Sequence, residues 1–133
     1  MTTNAVPRVI NLRDTGGTLP LGVILVDRRT RFGNPFKVKD FGLAVAMALF
    51  QDMADGFCDP RTAGARYAEA DALSFEWRAR LAPENPRVII IEALKGKSVA
   101  CWCRPPEGFQ GRLLCHGQIL VGIANGIPPE SVE

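Results

Sequence analysis

Two short runs in this sequence have no polar alternation, and they constrain the fold most. Gly22-Val23-Ile24-Leu25-Val26 is a near-continuous apolar stretch rich in β-branched side chains, and Ser98-Val99-Ala100-Cys101-Trp102 is a second run of the same kind. A strand with one wet face alternates, whereas a strand without alternation is covered on both faces, as in parallel sheets layered by helices. Arg8-Val9-Ile10-Asn11-Leu12 is a third, shorter strand candidate.

The segments between these runs carry helical patterns. Leu43, Ala46, Met47 and Phe50 fall on one helical face, and Met53 extends it. Asp40 stands where a cap is expected and Gly56 where a stop is expected. A second helix is predicted from about Gly64 to Leu81, with Ala70, Leu73, Trp77 and Leu81 on its apolar stripe. Val88–Leu94 can be read two ways. Its isoleucines favour a strand, while Pro86 in a first turn and Gly96 just past Leu94 favour a short helix, which is the reading adopted. A last helix is predicted from about His116 to Asn125, stopped by Gly126, with a polar tail from Pro128 onward.

The order predicts a small single-domain α/β protein over residues 1–133, with tails at 1–7 and 127–133. It has a mostly parallel sheet of three to four strands and three to four helices. Ligands in such sheets bind at the carboxyl ends of strands. The loops 27–36 and 103–116 both leave such ends, so parallel pairing would put them on one rim.

Composition removes several functions. A formal charge of +2 on 133 residues is too small for the dense basic face of a dedicated duplex binder, although contact with nucleic acid stays open. No run approaches the roughly 20 apolar residues of a membrane span, and no secretory leader is visible. A cytoplasmic location is therefore expected, where Cys58, Cys101, Cys103 and Cys115 stay reduced.

The first unusual loop carries Arg28, Arg29 and Arg31, whose guanidinium groups match phosphate or carboxylate with paired donors. Gly33 permits a tight turn or close approach, Pro35 extends Asn34, and Asn34 offers both donor and acceptor. Phe32 and Phe36 are candidates for ring stacking or for the core. The second unusual loop clusters Cys101, Cys103 and Cys115 with the only histidine, His116. Four readings remain open for it. The four residues supply the ligand number that zinc needs. Cys115, at a helix start, could be a reactive thiolate with His116 as base. The helix N-terminus at Gly117, with Trp102 beside it, could receive a phosphate. The cysteines could also be small buried hydrophobes. Cys58 and Trp77 are read as incidental and as core, respectively.

Arg31-Phe32-Gly33-Asn34-Pro35-Phe36, Leu94-Lys95-Gly96-Lys97, Cys101-Trp102-Cys103 and Cys115-His116-Gly117, in this order, resemble domain of unknown function family 4326, found in bacterial and phage proteins. The resemblance spans about residues 21–123. It departs from the family pattern in the longer loop from Arg104 to Leu114, and it names no reaction. The expected function is binding of a nucleotide-like or other phosphate-bearing ligand, with possible action on nucleotides or nucleic acid bases. Arg29, Arg31, Gly33, Asn34, Trp102 and Gly117 would bind the ligand. Cys115 and His116 are candidate catalytic residues, and Cys101, Cys103, Cys115 and His116 are candidate zinc ligands. The alternatives are a zinc-stabilised interaction module and a thiol-based redox or transfer protein.

Overall fold

The computed structural model describes residues 6–55, 67–81, 86–103 and 113–133. The elements, in chain order, are β1 (Val9–Asn11), β2 (Ile24–Leu25), α1 (Val38–Phe41), α2 (Leu43–Ala54), α3 (Tyr67–Leu81), α4 (Pro86–Leu94), β3 (Val99–Cys101) and α5 (His116–Asn125), followed by a 3₁₀ turn at Pro129–Ser131. The expected α/β class holds: the sheet is parallel and three-stranded, and five α-helices lie among the described residues.

β3 is last in sequence but central in space. Val99 pairs with both Val9 and Ile24, and Ala100 with Ile10 and Leu25. The ladder runs one residue further on each side, through Leu12 N–H to Cys101 O and Val26 N–H to Ala100 O. All of β3 is buried, as its unbroken apolar run requires. Because the strands are parallel, the chain leaves β2 and β3 at the same edge of the sheet.

The helical stripes also match the buried positions. Leu43, Ala46, Met47, Phe50 and Met53 are buried on α2, and Ala70 and Trp77 on α3. Val88–Leu94 is helical within α4, which turns Ile90 and Leu94 into the core and leaves Val88 and Ile91 exposed. Tertiary packing and the Pro86 start thus override the β-preference of isoleucine.

One local expectation is corrected. Asp40 does not cap the helix carrying Leu43. It lies inside α1, and Gly42, at φ 83°, separates α1 from α2. The left-handed value is one that glycine adopts without a Cβ penalty. The polar tail from Pro128 onward is tied to the rest of the fold. Val132 is buried, and Glu133 O accepts a hydrogen bond from Val9 N–H at the outer edge of β1. The start of α3 near Gly64, the stop at Gly56, Cys58 and most of the loop after Cys103 lie outside the described residues.

Helix α5 holds these parts together. Its first turn lies on the sheet at Gly117, where an added Cβ would stand 3.1–3.2 Å from side-chain methyls of Val99 and Val9. Gln118 is the clamp. Its Oε1 accepts from Leu114 N–H and Cys115 N–H, at 2.7 and 3.0 Å, and its Nε2 donates to Val132 O at 3.2 Å. One buried amide thereby closes the capping box and ties down the C-terminal segment. Gln118→Ala strands two buried N–H groups and a carbonyl, so a loss of about 2–3 kcal/mol is expected in urea unfolding. A loss under about 0.5 kcal/mol, the usual effect of a surface substitution, would remove the clamp role.

Candidate functional site

The two unusual loops meet at a cavity of about 380 Å³ at the carboxyl edge of the sheet. Asp27, Arg28, Arg29, Asn34 and Phe36 come from the loop after β2. Trp102 and Cys103 follow β3, and His116 opens α5. Val38, Leu43 and Met47 form the apolar wall.

The arginine loop is shaped by its own backbone. A Cβ on Gly33 would lie 2.5 Å from Arg28 Cα and 2.6 Å from Asp27 O, so only glycine lets the loop close against itself. Gly33 O accepts a hydrogen bond from buried Trp77 Nε1 at 3.0 Å. Trp77 packs edge-on against Phe50, and Phe50 against the His116 ring, at centroid distances of 5.5 and 5.3 Å. An aromatic column thus joins the loop to the cysteine cluster.

Asn34 is buried and its side chain is fixed at one end, where Oδ1 accepts from Phe36 N–H at 2.9 Å. Asn34 lines the cavity, and its Nδ2, which no described residue uses as a donor, keeps contact with solvent rather than being sealed in the core. The two cations of the cavity differ. Arg29 grips Asp27 through Nε and Nη2 at 2.9 and 2.6 Å, and this hydrogen bond holds the Asp27 carboxyl below the usual carboxylate range. Arg28 makes only a long contact, from Nε to Asn34 O at 3.4 Å.

The cysteine loop brings its ends together. Cys115 Sγ lies 2.8 Å from both Cys101 Sγ and Cys103 Sγ, and all three sulfurs fall within 4.8 Å of one another. His116 Nδ1 is 3.4 Å from Cys103 Sγ and 3.9 Å from Cys115 Sγ. On the far side of the ring, Nε2 stands 2.6 Å from Val26 O. A carbonyl only accepts, so Nε2 carries the proton and Nδ1 presents a lone pair to the sulfurs. Burial lowers the histidine pKa and keeps the ring neutral. The trio cannot hold several unshielded negative charges. Thiol hydrogen bonds from Cys103 and Cys115 bring Cys101 down to about 3, while Cys103 is pushed up to about 12 and Cys115 well up, each chiefly by its contact with Cys101. This cluster could bind a metal ion.

The geometry sorts the residues expected from sequence. Arg29, Asn34, Trp102 and His116 share the cavity; Arg31, Gly33 and Gly117 do not line it. Arg31 lies over the Phe32 ring, and Gly33 shapes the loop. Gly117 is a packing glycine whose N–H is used by Cys115 Sγ, so the helix start presents no open cradle for phosphate. Cys115 is not the exposed thiolate suggested by its position at a helix start. It is buried, and the thiol at the cavity wall is Cys103. Phe32 and Phe36 are core residues. Arg28, the one loop arginine without a bound carboxylate or stacked ring, was missed as a site residue, because three arginines in four positions look alike in sequence.

A profile described as domain of unknown function (DUF4326) matches residues 10–126. The chain belongs to this family. No curated protein and no solved structure matches it. In this DUF4326 chain the fold places the Phe32-Gly33-Asn34-Pro35-Phe36 loop and the cysteine–histidine cluster at one cavity. No described helix is long and apolar enough to cross a membrane.

The steric reading of Gly33 gives a direct test. Gly33→Ala forces the Arg28 backbone to move and is expected to cost about 1–3 kcal/mol in chemical denaturation. Trp77→Phe, which removes the donor to Gly33 O and leaves a cavity where the larger indole packed, is expected to cost about 2–4 kcal/mol. Wild-type stability in Gly33→Ala would mean that the loop does not close as described.

Proposed function

We propose that this domain binds a small phosphate-bearing molecule of nucleotide-like form in the cavity between the arginine loop and the cysteine–histidine cluster. The observation that carries this reading is the pair formed by Arg28 and Asn34. Asp27 neutralises Arg29, so Arg28 is left as the net cation of the cavity. Its terminal nitrogens have no protein partner among the described residues, and a guanidinium in that state matches two phosphate oxygens. Beside it, the Asn34 amide lines the cavity with an N–H donor that no described residue takes up, and a ligand acceptor can pair with it.

The other end of the cavity suits a ring. Trp102 is 42% exposed, and its indole rests on Gly17, where an added Cβ would come within 3.3 Å. Backing of this kind holds the ring plane in place and leaves the other side for stacking. The volume, about 380 Å³, lies in the range of small-molecule sites, which run from about 300 to 1,000 Å³. Arg29 serves at the rim, where it can exchange Asp27 for a ligand anion.

Titration calorimetry with inorganic phosphate, a sugar phosphate, nucleoside monophosphates and the matching nucleosides tests this. Phosphorylated compounds are expected to bind, and the nucleosides more weakly. Arg28→Ala is expected to weaken binding by about tenfold or more, worth about 1.4 kcal/mol. Asn34→Asp, which keeps the shape and the acceptor for Phe36 N–H but replaces the amide with a negative charge, is expected to weaken it at least as much. Absence of binding across the phosphorylated panel, or full affinity in Arg28→Ala, sinks the reading.

A further inference from the structure

We propose that Cys101, Cys103, Cys115 and His116 together bind one zinc ion, with His116 ligating through Nδ1. The proposal stands apart from the ligand reading above. It begins with convergence: three sulfurs lie within 4.8 Å of one another, and the imidazole nitrogen lies 3.4 and 3.9 Å from two of them. Four donors of type S₃N match a structural zinc centre, and soft thiolates select against magnesium, calcium and manganese. With Zn–S bonds of about 2.3 Å, tetrahedral sulfurs sit about 3.8 Å apart. The observed 2.8 Å contacts therefore open by about 1 Å each, a change within reach of small side-chain rotations.

The orientation of His116 separates a metal site from a packed cysteine core. Cysteines buried as small hydrophobes need no lone pair aimed at them. Here Val26 O fixes the Nε2 proton at 2.6 Å, and the only remaining imidazole lone pair points at the thiols. Metal-bound histidines are held in this way, with the second ring nitrogen donating to a carbonyl or carboxylate. Phe50 packs edge-on against the same ring and restrains its tilt.

The backbone supplies the ligands in a form compatible with closure. Cys101 ends β3 and Cys103 follows two residues on, while Cys115 is the N-cap of α5 and His116 its first residue. The eleven residues between Cys103 and Cys115 do not separate the ligands, because the two sulfurs already touch at 2.8 Å. Among the described residues no lysine or arginine lies beside the three sulfurs, and a bound metal ion would supply the positive charge that lets all three deprotonate. With four protein donors the ion is saturated, which makes it a brace for the cavity wall formed by Cys103 and His116 rather than an open Lewis acid.

Protein purified under reducing conditions without added metal is expected to carry about one zinc per chain by elemental mass spectrometry. After chelation, reconstitution with cobalt(II) should give the intense visible bands of a tetrahedral thiolate site. Cys103→Ser, at the half-buried wall position, and His116→Gln should each weaken zinc at least about tenfold and alter the cobalt bands. Circular dichroism identifies any variant that fails to fold, and the wild-type metal content and cobalt spectrum decide the matter without the variants. Folded, metal-free wild-type protein that gives no tetrahedral cobalt spectrum overturns the proposal. So does unchanged zinc affinity in both variants, or a disulfide among these cysteines in the reduced preparation.

Discussion

The position of one imidazole ring governs the arrangement. His116 opens α5, donates through Nε2 to the carbonyl that ends β2, and turns its free nitrogen toward the sulfurs after β3. A single side chain thereby joins the three segments that make the cavity. Its burial makes the ring neutral, and neutrality is a condition of the rest. A protonated ring would place a second N–H against thiols and a positive charge in a wall of Phe50 and Met47. The strand-end carbonyl is ordinarily lost to solvent or to a loop; here it sets the tautomer.

The parallel sheet explains why distant residues can act together. β3 is threaded last and lies between β1 and β2, so the chain leaves β2 and β3 side by side. The arginine loop and the Cys-Trp-Cys segment are far apart in sequence yet share one rim. The rim is stiffened from below. Trp77 holds Gly33 O, Phe50 bridges Trp77 to His116, and Gln118 holds the backbone leading into α5. The described residues of this rim are therefore held in place before any ligand arrives, which lowers the ordering cost of binding.

Much of the fold was legible because burial leaves periodic marks. The stripe from Leu43 to Met53 and the Gly126 stop each rest on one local rule and correspond to observed elements, whereas the run at 22–26, read as covered on both faces, forms only the short, half-buried edge strand β2. The site was legible as a meeting of two loops, but its division of labour was not. Nothing in the order of Arg28, Arg29 and Arg31 tells which is paired with Asp27, which lies on Phe32 and which is left for a ligand. These are outcomes of side-chain packing over a few ångströms. Gly117 misled for a related reason. A glycine at a helix start suits both anion approach and close packing on a sheet, and only the positions of Val9 and Val99 decide between them. The C-terminal segment from Pro128 reads as a polar tail, and no local pattern shows what holds it. The tie that holds it comes from Gln118, eleven or more residues earlier in the chain.

The motif residues of this DUF4326 chain thus fall into two physical roles that sequence runs together. Gly33, Cys101, Cys115 and Gly117 act inward: they close the loop, gather the sulfurs and seat the helix on the sheet. Asn34, Trp102, Cys103 and Arg28 act outward, at the cavity surface. Asn34 belongs to both, because one half of its amide is used by the backbone and the other half is not. A fold stabilised only by its core would have no need of that division. An amide donor and a guanidinium that no described residue engages lie side by side in one cavity, and these are the two groups on which the proposed ligand reading rests.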